Sequence, residues 1–537
     1  MLQKRLWILA SITLVLVFST TAGAQHAEEQ WHAFFSPDSS STHWTWDILL
    51  IDDLLVYSAT RSGDNGNGGL YLIAYNHDGE QQWVIEEEIE GVNEFYEPLL
   101  ARSSDDAFYC VVDLKEGEGT SHTTTPMIYR ISTDGDILWQ QSMGINHSHG
   151  DIAVDEQGDL YVLSNEGETP FLSKWNKNGE QVFSKTISDN PGMGVDIGID
   201  GYNKIHVYIL GFLSSGNTGT AMAVYSIDGD LLHTPDWDDA ISSVDRDIPL
   251  LLRDDGIAFT VNQDQQTVSY AKWDYGQRLW VKTMGISNTE FVYGATLQDR
   301  GFAFVVIREI GETEFQNLYF SFDEMGAENW TYSEEVNQVT YLASGDQYGN
   351  LYATGITIDL EDEDDDPEQN ICTSKVTNFG EAAWSIIFES EDYDNAMGLN
   401  QVLDEKGNYY VLGQIWKSGH SSDFVLIKYK QICDAGQCFI ENNCYSAGAH
   451  SPDNPCMVCD PTISEYGWSE GDGLSCSNGL YCDGNSDVCV AGQCIGDEDP
   501  CEDGQTCDED TNSCENLDGD VTGDNFAQDE DNGGCCG

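Results

Sequence analysis

Residues able to bind metal or to cross-link crowd the C-terminal end of this 537-residue chain. Twelve cysteines fall within residues 433–514: Cys433, Cys438, Cys444, Cys456, Cys459, Cys476, Cys482, Cys489, Cys494, Cys501, Cys507 and Cys514. An even number of thiols in a short stretch rich in Gly, Asp and Asn reads as a disulfide framework, because too few apolar residues are present to build a core. Cross-links of roughly 2–4 kcal/mol each must then supply what burial does not. Zinc is the rival, since Cys456 and Cys459 have ligand-like spacing, but a zinc ribbon needs a second such pair. Beyond this module, Asp518, Asp520, Thr522, Asp524 and Asp529, with Gly523 among them, fall near positions 1, 3, 5, 7, 12 and 6 of a calcium-binding loop. Calcium is therefore the one cofactor these residues could take. The last position is Asp rather than Glu and no helical pattern flanks the loop, so a solvated acidic tail is the plainer reading.

The remaining 430 or so residues are poor in such chemistry. His147 and His149 in "NHSHG" are two apart in what reads as a loop, half a metal site at most. Residues 359–369, "DLEDEDDDPEQ", could hold calcium, yet read better as a solvated insertion that keeps a sheet edge unpaired. No nucleophile elbow, His-Glu-x-x-His helix or phosphate-cradling glycine loop is present. No catalytic residue is assigned.

What this part contains instead is repetition. "YLIAYNHDGEQQW", "IYRISTDGDILW", "LSKWNKNGEQVF", "AVYSIDGDLLH", "YAKWDYGQRLW", "YFSFDEMGAENW" and "TSKVTNFGEAAW" are one hairpin written seven times. Its turn glycines, Gly79, Gly135, Gly179, Gly229, Gly276, Gly326 and Gly380, are 44 to 56 residues apart. Four residues after each comes Trp83, Trp139, Phe183, His233, Trp280, Trp330 or Trp384. A second, looser hairpin such as "IAVDEQGDLYVLS" or "QVLDEKGNYYVLG" occurs eight times. Two hairpins per repeat of about 50 residues predict the four-stranded blades of an all-β propeller, stacked around an axis because no blade can bury both faces alone. The chain ends supply one more blade: "DFVLIKYK" (423–430) is a strand without a partner, and "EQWHAFF" carries Trp31 with no strand before it. If these pair, eight blades result; seven remains the alternative. The expected layout is a signal peptide (1–24), a propeller (25–430), a small disulfide-rich module (431–514) and an acidic tail (515–537) ending in Cys535 and Cys536.

The pattern "YRISTDGDILW" followed by "DIAVDEQGDLYVLS" resembles the SBBP-type bacterial propeller repeat, and its Gly-x-x-x-Trp element is similar to the tryptophan-docking motif of eight-bladed quinoprotein (PQQ) propellers. The likeness covers residues 30–430. It implies the fold, since the shared residues are turn and packing positions, and it implies no cofactor. Residues 444–484 resemble Cys-rich repeats of secreted and surface proteins of myxobacteria and related deltaproteobacteria, which implies an envelope or extracellular setting.

Two bulk features agree with that setting. Lys4 and Arg5, the apolar run 6–18 and Ala22-Gly23-Ala24 read as a secretory signal. A net charge of −72, from 94 acidic and 22 basic residues, repels nucleic acid and anionic lipid. The sequence is thus expected to encode a secreted or cell-surface binding scaffold that recognises protein or glycan through one propeller face, with no transmembrane span in the mature chain and attachment, if any, through the C-terminus. A propeller enzyme (quinone-dependent dehydrogenase, lyase or hydrolase) and a structural envelope component are the alternatives.

Overall fold

A computed structural model of the chain describes residues 25–516 apart from short internal segments, the longest being 238–249 and 359–368. The chain divides into two compact units, Ala24–Ile432 and a unit that begins at Cys433.

Among the described residues the first unit holds eight four-stranded antiparallel blades, the seventh and eighth joined into one eight-stranded sheet by a parallel pairing of Gln369 with Asn395. In seven of them the strands pair in chain order, giving blades at 42–88, 92–142, 147–186, 192–233, 251–285, 290–333 and 338–388. The eighth is built from Asn395–Leu403, Asn408–Trp416 and Asp423–Cys433, with Gln25–Phe35 as its outermost strand. The orphan strands at the two chain ends do pair, and the count is eight. First strands of neighbouring blades contact one another, which places them around the axis. Each blade opens with the looser hairpin and closes with the Gly-x-x-x-Trp hairpin, so the repeat as it reads most easily in the sequence straddles two blades.

The middle strands of each blade are buried on both faces: Leu54–Ser62, Ala107–Glu116 and Gly301–Glu309 are almost continuously buried. Their composition follows, with runs of Val, Leu, Tyr and Phe rather than alternation. The outermost strands do alternate, as in Gln81–Glu88, because one face packs inward and the other meets water.

The ring is fastened where the outermost strand of one blade meets the last turn of the next. Trp31 lies over Gly79, Trp83 over Gly135, Trp139 over Gly179, Trp280 over Gly326 and Trp330 over Gly380, each so close that a Cβ on the glycine would come within 2.7–3.0 Å of the indole. Every one of these glycines also has positive φ, which a β-carbon disfavours. In four cases the indole N–H donates a 2.9 Å hydrogen bond to the carbonyl two residues before the glycine: Trp31 to His77, Trp83 to Thr133, Trp139 to Lys177 and Trp330 to Asn378. Phe183 and His233 take the same seats over Gly229 and Gly276. Phe183 has no N–H to give, and Lys185 donates to the Gly229 carbonyl in its place. Trp384 has no turn to dock on, because the eighth blade is completed by the N-terminal strand. It is buried against Gln431 instead.

The second unit contains four small hairpins, Gln437–Ile440 with Asn443–Ser446, Met457–Val458 with Ser469–Glu470, Val488–Val490 with Gln493–Ile495, and Gln505–Asp508 with Ser513–Asn516. Five disulfides cross-link its described residues: Cys433–Cys444, Cys438–Cys459, Cys456–Cys489, Cys476–Cys494 and Cys501–Cys514. Its hydrophobic cluster amounts to Cys438, Ile440, Tyr445 and Cys459 with Ala449 and Trp468, which is why covalent links must carry it.

Two glycines separate backbone strain from docking. Gly91 has φ +91° with nothing within 4 Å of a Cβ, whereas Gly135 has φ +89° and the Trp83 ring 2.9 Å away. Gly91→Ala is expected to cost about 1–2 kcal/mol from left-handed strain alone. Gly135→Ala should cost about 1–3 kcal/mol more through overpacking, read from urea midpoints at constant m-value. Equal losses would mean that the indole contact does not hold the ring.

Candidate functional site

The first strands do not run evenly past the axis. Seven of them carry a bulge at the same level: between Thr45 and Ile48, Tyr96 and Leu99, His149 and Asp151, Gly194 and Asp196, Val292 and Gly294, Thr340 and Leu342, and Gly398 and Asn400. A bulge re-aims side chains and increases local twist. Here the bulges of blades 1 to 4 and 8 surround a cavity of about 320 Å³, bordered by Trp46, Asp47, Glu97, His149, Asn165 and Asn400 among others.

The polar groups at this level tie one blade to the next. Asp47 Oδ2 accepts the Leu100 N–H of blade 2 at 2.8 Å, while Oδ1 accepts Ile48 N–H at 2.8 Å. Asp151 accepts the Ile197 N–H of blade 4 at 3.0 Å, and Asp196 accepts the Leu250 N–H beside blade 5. Asn400 of blade 8 closes the circle by donating to the Trp46 carbonyl at 2.9 Å. Asn165 pairs with the Gly194 N–H at 2.8 Å. The sequence reading missed these clamps, because a single Asp or Asn on an apolar strand carries no spacing signal.

Their electrostatics follow from depth. Asp47, Asp151 and Asp196 are half-buried residues whose carboxyls have protein on most sides. Burial pushes Asp47 up to about 6 even though it accepts backbone N–H groups. Asp151 is raised further, by burial first and then by the Asp196 carboxyl to which it is hydrogen-bonded. The neighbouring Asp196 carboxyl thus adds to burial in disfavouring the ionised form of Asp151. His149, expected in a loop, lies on the strand His147–Val154 with its side chain 1% exposed and Nδ1 2.7 Å from the Asp113 carboxylate. Burial alone would lower its imidazole, but the Asp113 charge outweighs this and the net shift is upward. His147 sits edge-on to Phe171 at 5.6 Å. The two histidines thus face different partners, Asp113 and Phe171.

At the cavity Glu97 has φ +49° immediately before Pro98, a left-handed pose that costs energy in a non-glycine residue. Trp46 beside it is half-buried. Its N–H donates to Thr60 Oγ1 at 2.8 Å, and its ring meets Tyr96 in a T-shaped contact at 5.2 Å. Lys115 Nζ stands 3.3 Å over the Tyr96 ring. Thus the cavity has one aromatic wall, acceptors on two sides and amide groups from Asn165 and Asn400.

Other residues singled out in the sequence are placed as follows. Cys456 and Cys459 bond to different partners and are not a zinc pair. The sulfurs of Cys456, Cys476 and Cys489 lie within 4.8 Å, but all belong to disulfides. Cys482, the Cys507 side chain, residues 359–368 and Asp518, Asp520, Thr522, Asp524 and Asp529 lie outside the described residues. Cys110 and Cys372 are buried free thiols, both raised by burial. Among the described residues no helix is long and apolar enough to cross a membrane.

No family model and no curated protein matches the chain. Solved structures similar to it include the β-propeller domain of the trilobed protease from Pyrococcus furiosus, with open velcro topology (11% identity, 64% of this chain and 93% of that one, TM-score 0.33). A protein of unknown function from Dyadobacter fermentans is similar at 9% identity over 75% and 99% of the two chains, TM-score 0.34. A polysaccharide lyase, the PL25 ulvan lyase, is similar at 9% identity over 64% and 93%, TM-score 0.37. At these scores the likenesses carry no argument about activity.

The upward shift of Asp151 has a measurable sign. A carboxyl raised in the folded state stabilises fully below its unfolded value, and that contribution is lost as pH climbs through the folded value. Asp151→Asn removes the titration, so urea unfolding should show the variant gaining on wild type by about 1 kcal/mol or more between pH 5 and pH 8. A difference that stays constant with pH would refute the upward shift.

Proposed function

We propose that this chain is an exported or surface-displayed recognition scaffold that takes a polar, hydroxyl-bearing ligand such as a glycan terminus into the channel cavity, without transforming it. The observation that carries this reading is the division of labour at the cavity. The carboxyls a hydrolase or lyase would use as acid and base are committed to neighbouring backbone N–H groups, and the His149 imidazole is enclosed beside Asp113. What remains to meet a ligand is the Trp46 ring and the Glu97 side, since the Asn165 and Asn400 amides already pair with the Gly194 N–H and the Trp46 carbonyl. Aromatic rings offer sugar C–H faces a flat apolar surface, while amides and carboxylates match hydroxyls. A cavity of about 320 Å³ stands at the low end of small-ligand sites, a size for one or two sugar units rather than a long chain.

Three further features support an extracellular setting: the signal-like N-terminus, the five disulfides, which persist in oxidising compartments, and a net charge of −72 that disfavours nucleic acid and anionic membranes. The C-terminal module would then act as the cross-linked stalk through which the propeller is presented.

The test is a glycan array probed with the intact mature protein, followed by calorimetry on any hit. Trp46→Ala is expected to weaken binding by about threefold to tenfold, as aromatic contacts contribute roughly 0.5–1.5 kcal/mol. Fold retention is checked by the unfolding midpoint. Turnover of the bound glycan, or binding unchanged by the Trp46 substitution, would overturn the reading.

A further inference from the structure

The charge bordering the channel cavity is of one sign. Asp47 and Glu97 lie on its wall, and among the described residues no lysine or arginine does. The basic side chain that does border it, His149, is enclosed with Nδ1 2.7 Å from the Asp113 carboxylate, and its ring is hydrogen-bonded to the Glu97 carbonyl. Lys115, on the same blade as Glu97, is engaged elsewhere: its Nζ pairs with Glu94 at 3.5 Å and stands on the Tyr96 ring. Asp47 is pushed up to about 6 by burial, so it is mostly ionised at neutral pH. The groups it meets are backbone and amide N–H donors rather than a cation.

Glu97 is the less engaged of the two acids. Its carboxylate makes no hydrogen bond and no ion pair with any described residue. The residue sits in a bulge with φ +49°, and such strain persists only where the surroundings hold it. The His149 bond to its carbonyl is such a hold. In a chain of net charge −72, a cleft lined by acids alone focuses the field and concentrates cations. A metal ion matches it poorly. Hard cations need several oxygens converging on one point, and among the described residues no such group of carboxylates occurs at the cavity. An indole face beside a carboxylate suits an organic ammonium instead.

We propose that the ligand of the channel cavity is an amino sugar, a glycan terminus whose ammonium group pairs with Glu97 while its C–H face lies on Trp46. The inference rests on the cavity being a glycan site and adds the charge of the sugar. An ammonium donates a charge-assisted hydrogen bond to the Glu97 carboxylate, stronger than one from a neutral hydroxyl. Its positive charge also polarises the neighbouring C–H groups, which improves their contact with the negative face of the indole. The N-acetyl counterpart of the same sugar loses both gains and leaves the Glu97 charge enclosed without a counter-charge. The cavity therefore discriminates by charge at one substituent.

The experiment is an array of matched pairs, amino sugars and their N-acetyl counterparts in gluco, galacto and manno configuration, probed with the intact mature protein. It is run at about 0.15 M salt, where exposed charges are screened beyond roughly 8 Å, and the best pair is then measured by calorimetry. The amino form is expected to bind about tenfold or more tightly than its N-acetyl partner. Glu97→Gln should remove that preference and leave the affinity for the N-acetyl form unchanged, whereas Trp46→Ala should weaken both forms. Equal or tighter binding of the N-acetyl forms by the wild type would overturn the inference and leave glycan recognition standing. Binding of no glycan on the array would overturn both. Amine binding that neither substitution alters would mark diffuse attraction to an acidic protein and would also overturn the inference. Unfolding midpoints confirm that both variants are folded.

Discussion

The fold depends on one repeated contact, an aromatic ring of the outermost strand laid on the last turn of the next blade. Four-stranded sheets with two apolar faces are insoluble as separate objects, and stacking removes both faces from water at once. Stacking alone leaves the angle between sheets free. The indole sets it, because the ring must lie flat on a residue without a β-carbon while its N–H reaches a carbonyl two residues earlier, as Trp83 does with Gly135 and Thr133. Burying such a ring is worth roughly 2–3 kcal/mol, and its geometry, repeated around the circle, turns seven local contacts into a closure condition. Blades that lost the indole kept the seat: Phe183 borrows Lys185, and His233 stays against Gly276.

A second set of ties works at the axis, where the sheets converge. Bulged first strands expose backbone N–H groups that lack in-sheet partners, and side chains of the preceding blade satisfy them. Deep carboxyls do this at a cost, since their charge is disfavoured there, and the raised Asp47 and Asp151 record it. Outer docking fixes the wedge angle and inner clamping fixes the height of each blade. The cavity is what is left between the clamps, which explains why its lining mixes one aromatic wall with groups already occupied.

Much of the fold was legible in the sequence because it rests on residues with narrow conformational demands. A glycine that needs positive φ, followed four residues later by Trp, is visible by eye, and the half-repeats around Trp31 and residues 423–430 announced their pairing. The blade boundaries were less so, since the most conspicuous repeat joins the end of one blade to the start of the next. The axis was hardest. Asp47, Asp151, Asp196 and Asn400 owe their roles to bulges that a pattern of period two does not reveal, and His149 read as loop because its strand begins with polar residues. A faint signal did exist on the turn side: Asp155, Asp346 and Asp404 each stand six residues before a tyrosine whose hydroxyl they accept, at 3.0, 3.1 and 3.3 Å. His206 stands in the same relation to Asp200.

Gln25 and Gln431 touch although 406 residues separate them. During synthesis the first strand is made and must wait, an unpaired edge, until the last blade emerges. Searching for a partner across that span costs on the order of 5 kcal/mol of chain entropy if nothing between is ordered. Blades that assemble one after another from local hairpins shorten the effective distance, so the final strand exchange becomes a short docking step rather than a long search. Until then the growing molecule is a crescent with both faces of its terminal sheets bare, and its exposure to sticking and to proteases is governed by how soon the tail of the propeller arrives.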